Sequence, residues 1–278
     1  MTLMIVVGYD GSEQSTAAVR WAAQASVRSR QPLQILAAVP MPVVYGSEFL
    51  PADAQGEFTD ESVAVAAAGE EVARAEGATD VGARGVVANP AQSLVEASED
   101  ASLVVVGSRG HHQFLETMLG SVGFALAGHA KCPAVIVRGE SVSPLGRVVV
   151  AYDGSEASGR AVDFAATAAH DAGASLHIVS AWVDLAGVAE ISENGDIIDA
   201  VRTDLDSAQE RAQQAHADLE VTTDALRGNA GAVIAEAANG AGLLVVGSRG
   251  RGGFRSLLLG SVSRRLITSA PCPVAVIR

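Results

Sequence analysis

The chain has 278 residues, 49% of them apolar but only 4% aromatic, with 29 glycines and 2 cysteines. At about 100–200 residues per domain, that length suits two domains or one large α/β unit, either able to bury a sizeable core. A formal charge of −13 repels phosphate backbones and argues against a nucleic-acid partner.

From its first residues the chain alternates apolar runs of strand length with stretches of helical period. Met1 to Val7 enters an apolar strand with no basic leader, and no run of about 18 apolar residues follows anywhere, so no membrane span is expected and the cytoplasm is the expected location. In the first half strands are expected near 3–9, 32–39, 80–87, 102–107 and 133–138, with helices near 13–29, 61–77, 90–99 and 120–130. Ile5-Val6-Val7 and Leu103 to Val106 do not alternate with polar residues, which suits parallel strands covered on both faces. Residues 41–60 lack a regular period and read as a lid or a variable connection. The one lysine, Lys131, lacks a Gly-Lys-Ser/Thr context, which excludes a P-loop. Cys132 and Cys272 make neither a disulfide framework nor a zinc site and read as small core residues.

Residues 139–146, polar and broken by Gly and Pro, form a linker. Beyond it the plan starts again. The strand leading to Asp10-Gly11-Ser12 returns before Asp153-Gly154-Ser155, and residues 103–138 align with 243–278 without gaps at 17 identities in 36 positions. The chain is therefore a duplication, divided into domains 1–140 and 145–278, with three residues fewer between Asp153 and Gly247 than between Asp10 and Gly107. Each domain is expected to be a doubly wound α/β unit with a five-stranded parallel sheet and helices on both faces. The stretch 183–196 matches the irregular 41–60 segment. A short linker makes a pseudo-dimer within the chain the natural pairing, and a homodimer of chains is a further option.

In such a sheet ligands bind beyond the carboxyl ends of the strands, near the switch in strand order. Two repeated features fall there. Asp10 and Asp153 follow the first strand of each half. After the fourth strand, Gly107-x-x-Gly110 is followed by nine residues and Gly120-Ser121, and Gly247-x-x-Gly250 by nine residues and Gly260-Ser261. Glycines let the backbone approach a ligand closely, and exposed N–H groups beside a helix start suit phosphate. Ser121 stands where it could cap the fourth helix. A lone Gly-x-x-Gly or Asp-Gly-Ser is an ordinary turn or cap; both together, at matching strand ends in both halves, point to a ligand site. Trp21 and Trp182 read as core or interface anchors, since no aromatic row accompanies them.

The Gly-x-x-Gly-x9-Gly-Ser pattern, the leading strand ending in Asp-Gly-Ser and the closing Cys-Pro-x4-Arg strand resemble the universal stress protein family over nearly the whole chain. That resemblance implies two tandem ATP-binding domains acting in a stress response, packed through their last strands, with little or no turnover. Carried over residue by residue, it implies that Asp10 and Asp153, with Gly8 and Ala151 just before them, meet adenosine, and that Ala38 and Ala181 offer backbone to adenine. Gly107, Ser108, Arg109, Gly110, His111, Gly120, Ser121 and Val122 would hold ribose and phosphates in the first half. Gly247, Ser248, Arg249, Gly250, Arg251, Gly252, Gly253, Gly260, Ser261, Val262 and Ser263 would do so in the second. Where the second half has Arg251-Gly252-Gly253 and Ser263-Arg264, the first has His111-His112-Gln113 and Gly123-Phe124, so the second site is expected to bind more tightly.

No carboxylate is aimed at the phosphates, so any Mg²⁺ would come with the nucleotide. His111-His112 has no third ligand at helical spacing, and no metal site is assigned. No His or Glu occupies the loop in both halves, so no catalytic residue is assigned; slow ATP hydrolysis assisted by backbone and arginine stays open. An interaction module built on the closing strands, with ATP only structural, is the other alternative. An adenylating pyrophosphatase fits poorly, since its Ser-Gly-Gly-x-Asp-Ser loop is absent.

Overall fold

Unbroken apolar runs can be buried only between two layers, and both halves of the chain use them that way. The computed structural model describes residues 3–41, 54–110, 119–138, 145–183, 191–251 and 258–278. The chain divides into two units, Met1–Val142 and Ser143–Arg278. In the first unit the elements are β1 (Met4–Gly8), α1 (Glu13–Ser29), β2 (Leu33–Val39), α2 (Ala54–Ala75), β3 (Val81–Val87), α3 (Pro90–Ala97), β4 (Ala101–Gly107), α4 (Ser121–His129) and β5 (Ala134–Val137). In the second they are β6 (Arg147–Ala151), α5 (Glu156–Ala172), β7 (Ser175–Trp182), α6 (Ile191–Ala215), β8 (Val221–Arg227), α7 (Ala230–Ala237), β9 (Leu243–Gly247), α8 (Ser261–Ser269) and β10 (Val274–Ile277).

The strand order is β3-β2-β1-β4-β5 in the first unit and β10-β9-β6-β7-β8 in the second, and the pairings within each are parallel. This is the expected doubly wound fold. Val7, Val105, Val149 and Val245, on the two central strands of each sheet, are fully buried. In the first unit α1 packs with α2 and α3 with α4; in the second α5 packs with α6 and α7 with α8, which gives a helical layer on each face. The order reverses between β1 and β4, and between β6 and β9. A crevice forms at the carboxyl ends of strands that diverge in this way.

One expectation needs adjusting. Helix α2 begins at Ala54, not near 61, because Ala, Gln and Glu favour helix and Glu57 in the first turn complements the dipole. The expected irregular stretch 41–60 therefore gives up residues 54–60 to α2; residues 42–53, and 184–190 of its counterpart, lie outside the described residues. Trp21 is buried in the core at 3% exposure.

Candidate functional site

Each unit begins its site with the turn after its first strand. In the first, Asp10 Oδ1 accepts from the Ser12 amide at 3.0 Å and the Ser12 hydroxyl at 2.6 Å. In the second, Asp153 Oδ1 accepts from the Ser155 amide at 3.0 Å. The residue between aspartate and serine has φ of 83° at Gly11 and 74° at Gly154, a left-handed backbone that glycine adopts without strain. Ser12 and Ser155 then cap α1 and α5 by accepting from Ser15 and Ser158 amides, each at 3.2 Å.

The loop after the fourth strand is anchored on this turn. In the second unit the Arg251 amide donates to Asp153 Oδ2 at 3.1 Å. A Cβ on Gly250 would overlap that same carboxylate oxygen, and one on Gly110 would overlap Asp10 Oδ2, so glycine is required for this approach. Burial alone would raise the Asp153 carboxyl. The Ser155 hydroxyl and amide, the Ser158 hydroxyl and the Arg251 amide outweigh it and hold the pKa below the ordinary aspartate value. The far end of each loop is fastened too: the Gly120 amide donates to the Ser108 carbonyl at 2.9 Å and the Gly260 amide to the Ser248 carbonyl at 2.8 Å.

Beyond these fastenings α4 and α8 begin on glycine. Gly120 (φ −64°, ψ 154°) and Gly260 (φ −66°, ψ 156°) are N-caps with no side-chain cap bond. Ser121 is therefore the first residue of its helix and not the expected cap. The helices α1, α3, α5 and α7 are all capped by a Ser or Asn side chain. Gly260 has nearly the dihedrals of Ser155, the cap of α5 (φ −77°, ψ 159°). A Cβ there would meet only ordinary contacts, 3.5 Å from the Arg249 Cα and the Ser248 oxygen. Neither strain nor crowding demands glycine here. Its effect is to leave the first N–H groups of α8 without an internal acceptor, and such a terminus favours an anion.

In the second unit these parts enclose a cavity of about 530 Å³. Of the expected residues, Ala151, Asp153, Ala181, Gly247, Arg249, Gly250, Arg251, Gly260, Ser261, Val262 and Ser263 line it. Ser248 does not: it is buried, with its amide on the Ile277 carbonyl at 2.6 Å, so its role is to hold the loop's base. Ser263 spends its hydroxyl on the Gly247 carbonyl at 2.7 Å. Tyr152, Ser158, Ala230, Ile234 and Val246 line the cavity without having been foreseen. Ser158 was findable, because Asp-Gly-Ser-x-x-Ser stands in both halves. Ala230 and Ile234 share a face of α7 and read simply as core.

In the first unit Asp10 follows β1, Gly107 ends β4 with Arg109 and Gly110 just beyond it, and Gly120 caps α4, which Ser121 and Val122 open. Ser108 is buried, like Ser248. Gly8 is buried as well, and a Cβ there would press on Leu94 at 2.8 Å, so its small size serves packing. Ala38 pairs with Val86 near the end of β2. His111, Gly252 and Gly253 lie outside the described residues. A second arginine stands by each loop: burial, then the charge of Arg109, lowers the Arg138 pKa, and burial, then Arg249, lowers that of Arg278. The repeated arginine closing each last strand was the signal for both.

A sequence model of the universal stress protein family matches residues 1–138 and 144–278. A universal stress protein of Mycolicibacterium smegmatis (strain ATCC 700084 / mc(2)155) is 32% identical over 289 residues, covering 99% of this chain and 96% of that protein. One of Mycobacterium tuberculosis (strain ATCC 25618 / H37Rv) is 32% identical over 300 residues, covering 100% of this chain and 97% of that protein. Among solved structures, a universal stress protein from Archaeoglobus fulgidus DSM 4304 has the same fold, with a TM-score of 0.71 at 24% identity, covering 98% of this chain and 95% of that one.

Proposed function

The chain belongs to the universal stress protein family, and from that premise we propose that it is a regulatory protein that binds ATP, with one site in each unit. The observation that carries this reading is the helix start of α8: a glycine cap without structural necessity, opening on a cavity of about 530 Å³ that Arg249 and Arg251 also line. Its volume falls within the range of about 300–1,000 Å³ usual for small-ligand pockets. Phosphate oxygens would accept from the free amides of α8, with the two guanidinium groups neutralising their charge. Ala181, at the end of β7, and Asp153 stand where the adenosine end of such a ligand would lie. The Asp153 oxygens already accept from the Ser155 and Arg251 amides, yet a carboxylate has lone pairs left for a ribose hydroxyl.

Asp153 is also the only carboxylate on the cavity wall among the described residues, and its charge is committed to anchoring the loop. ATP occupancy, with slow or no hydrolysis, is therefore the proposed signal. Denaturing the purified protein and chromatographing what it releases, beside a timed ATP incubation, tests this. Adenine nucleotide approaching two per chain, persisting as ATP, is the expected result. No nucleotide released, and none bound when added, would overturn the proposal; ADP accumulating over many turnovers would replace it with an enzyme.

A further inference from the structure

Arg251 leaves the loop of the second unit with its backbone on one partner and its side chain on another. The amide is fixed to Asp153 Oδ2 at 3.1 Å, while Nη2 reaches Asp204 Oδ2 on α6 at 2.6 Å. The guanidinium thereby lies across the aspartate turn, where a Cβ on Gly154 would overlap it. Arg251 and Tyr152 both line the cavity, and the Tyr152 phenol pKa is raised first by burial and then by Asp204, with Arg251 acting the opposite way, so the charge of the pair is felt at the cavity wall. Both partners are open to water, Arg251 at 60% and Asp204 at 38% side-chain exposure. An ion pair this exposed is weak, and a group carrying several negative charges can displace its carboxylate. The matching residue of the first half is His111.

We propose that Arg251 reads the number of phosphates on the ligand of the second unit, and that Asp204 sets how much negative charge a ligand must bring to win the guanidinium. The inference rests on the nucleotide reading above. A monophosphate satisfied by the α8 amides leaves Arg251 with Asp204; a di- or triphosphate extends into its reach and takes it. Asp204 acts through Arg251 and is a positioning residue.

Calorimetric titration of the full chain with AMP, ADP and ATP tests this, with circular dichroism confirming that each variant is folded. Asp204→Asn is expected to tighten ATP about threefold while AMP changes less than twofold. Arg251→Gln is expected to weaken ATP about tenfold with AMP little changed, and Arg251→Lys to recover part of that loss. The binding event that responds belongs to the second unit, because both substituted residues do. Equal shifts for AMP and ATP in either variant, or no shift in Asp204→Asn, would overturn the proposal while leaving ATP binding intact. Wild-type protein that binds none of the three nucleotides would overturn the nucleotide reading itself, and this inference with it.

Discussion

Cys132 and Cys272 show how far a side chain's reactivity is decided by where its strand begins. Burial pushes both thiols up to about 11, so at pH 8 neither supplies thiolate, the reactive form. Native protein should show no fast reaction with a thiol reagent, and two equivalents should appear on denaturation, matching the 2 cysteines of the chain. Asp153 is shifted the other way. A carboxyl lowered on folding contributes stability that is complete above its unfolded pKa and lost as pH falls through the folded value. The Arg251 amide resonance should therefore hold constant down to about pH 4 and move only below it, while Asp153→Asn abolishes that titration. Both aspartates were legible in the sequence as residues at a strand end. The loop-holding task of Asp153 was not: it depends on the amide of Arg251, 98 positions away, which no local pattern reports.

Helix ends carry the clearest element-scale contrasts, because the two units solve the same problem with different residues. Helix α1 ends on Arg30 at φ 53°, and α5 on Gly173 at φ 61°. A left-handed backbone costs a non-glycine residue about 1–2 kcal/mol, part of which glycine's extra freedom in the unfolded chain offsets. Arg30→Gly should stabilise the first unit by roughly 0.5 kcal/mol, and Gly173→Ala should destabilise the second by about 1 kcal/mol, both measurable by denaturant unfolding. The opposite contrast holds at α8. Gly260→Asp should cap the helix from its own side chain and gain a few tenths of a kcal/mol. The same carboxylate would fill the anion position, so ATP binding in the second unit should be lost while stability rises. Calorimetry and a urea titration on one variant check both halves of that statement. Strand and helix order were readable from periodicity because burial on both faces leaves unmistakable apolar runs. The start of α2 was not, since Gly56 and Phe58 hid a helix that begins at Ala54.

At the scale of the molecule, duplication is what made the site readable. Asp-Gly-Ser or Gly-x-x-Gly alone is an ordinary turn; their return at the same strand ends in both halves is what marked a candidate site in the sequence. What duplication concealed was divergence. The second half carries Arg251, Arg264 and Arg265 where the first has His111, Phe124 and Ala125, so one plan carries two candidate sites of unequal charge. The partner of Arg251, Asp204, lies in a charged helix and gave no sign of its role. If nucleotide fills only the folded state, a ligand at one hundred times its dissociation constant adds about 2.7 kcal/mol, or about 5–10 °C in the melting temperature of a unit this size. Thermal denaturation with and without saturating ATP should show that rise, and Gly260→Asp should remove the second unit's share. The glycine start of α8 then has a bearing on the protein's survival in a cell. A chain that leaves its own helix end unfinished depends on its surroundings to finish it, so its half-life against proteases would lengthen in plenty and shorten in want, and its abundance would keep a slow record of the nucleotide supply.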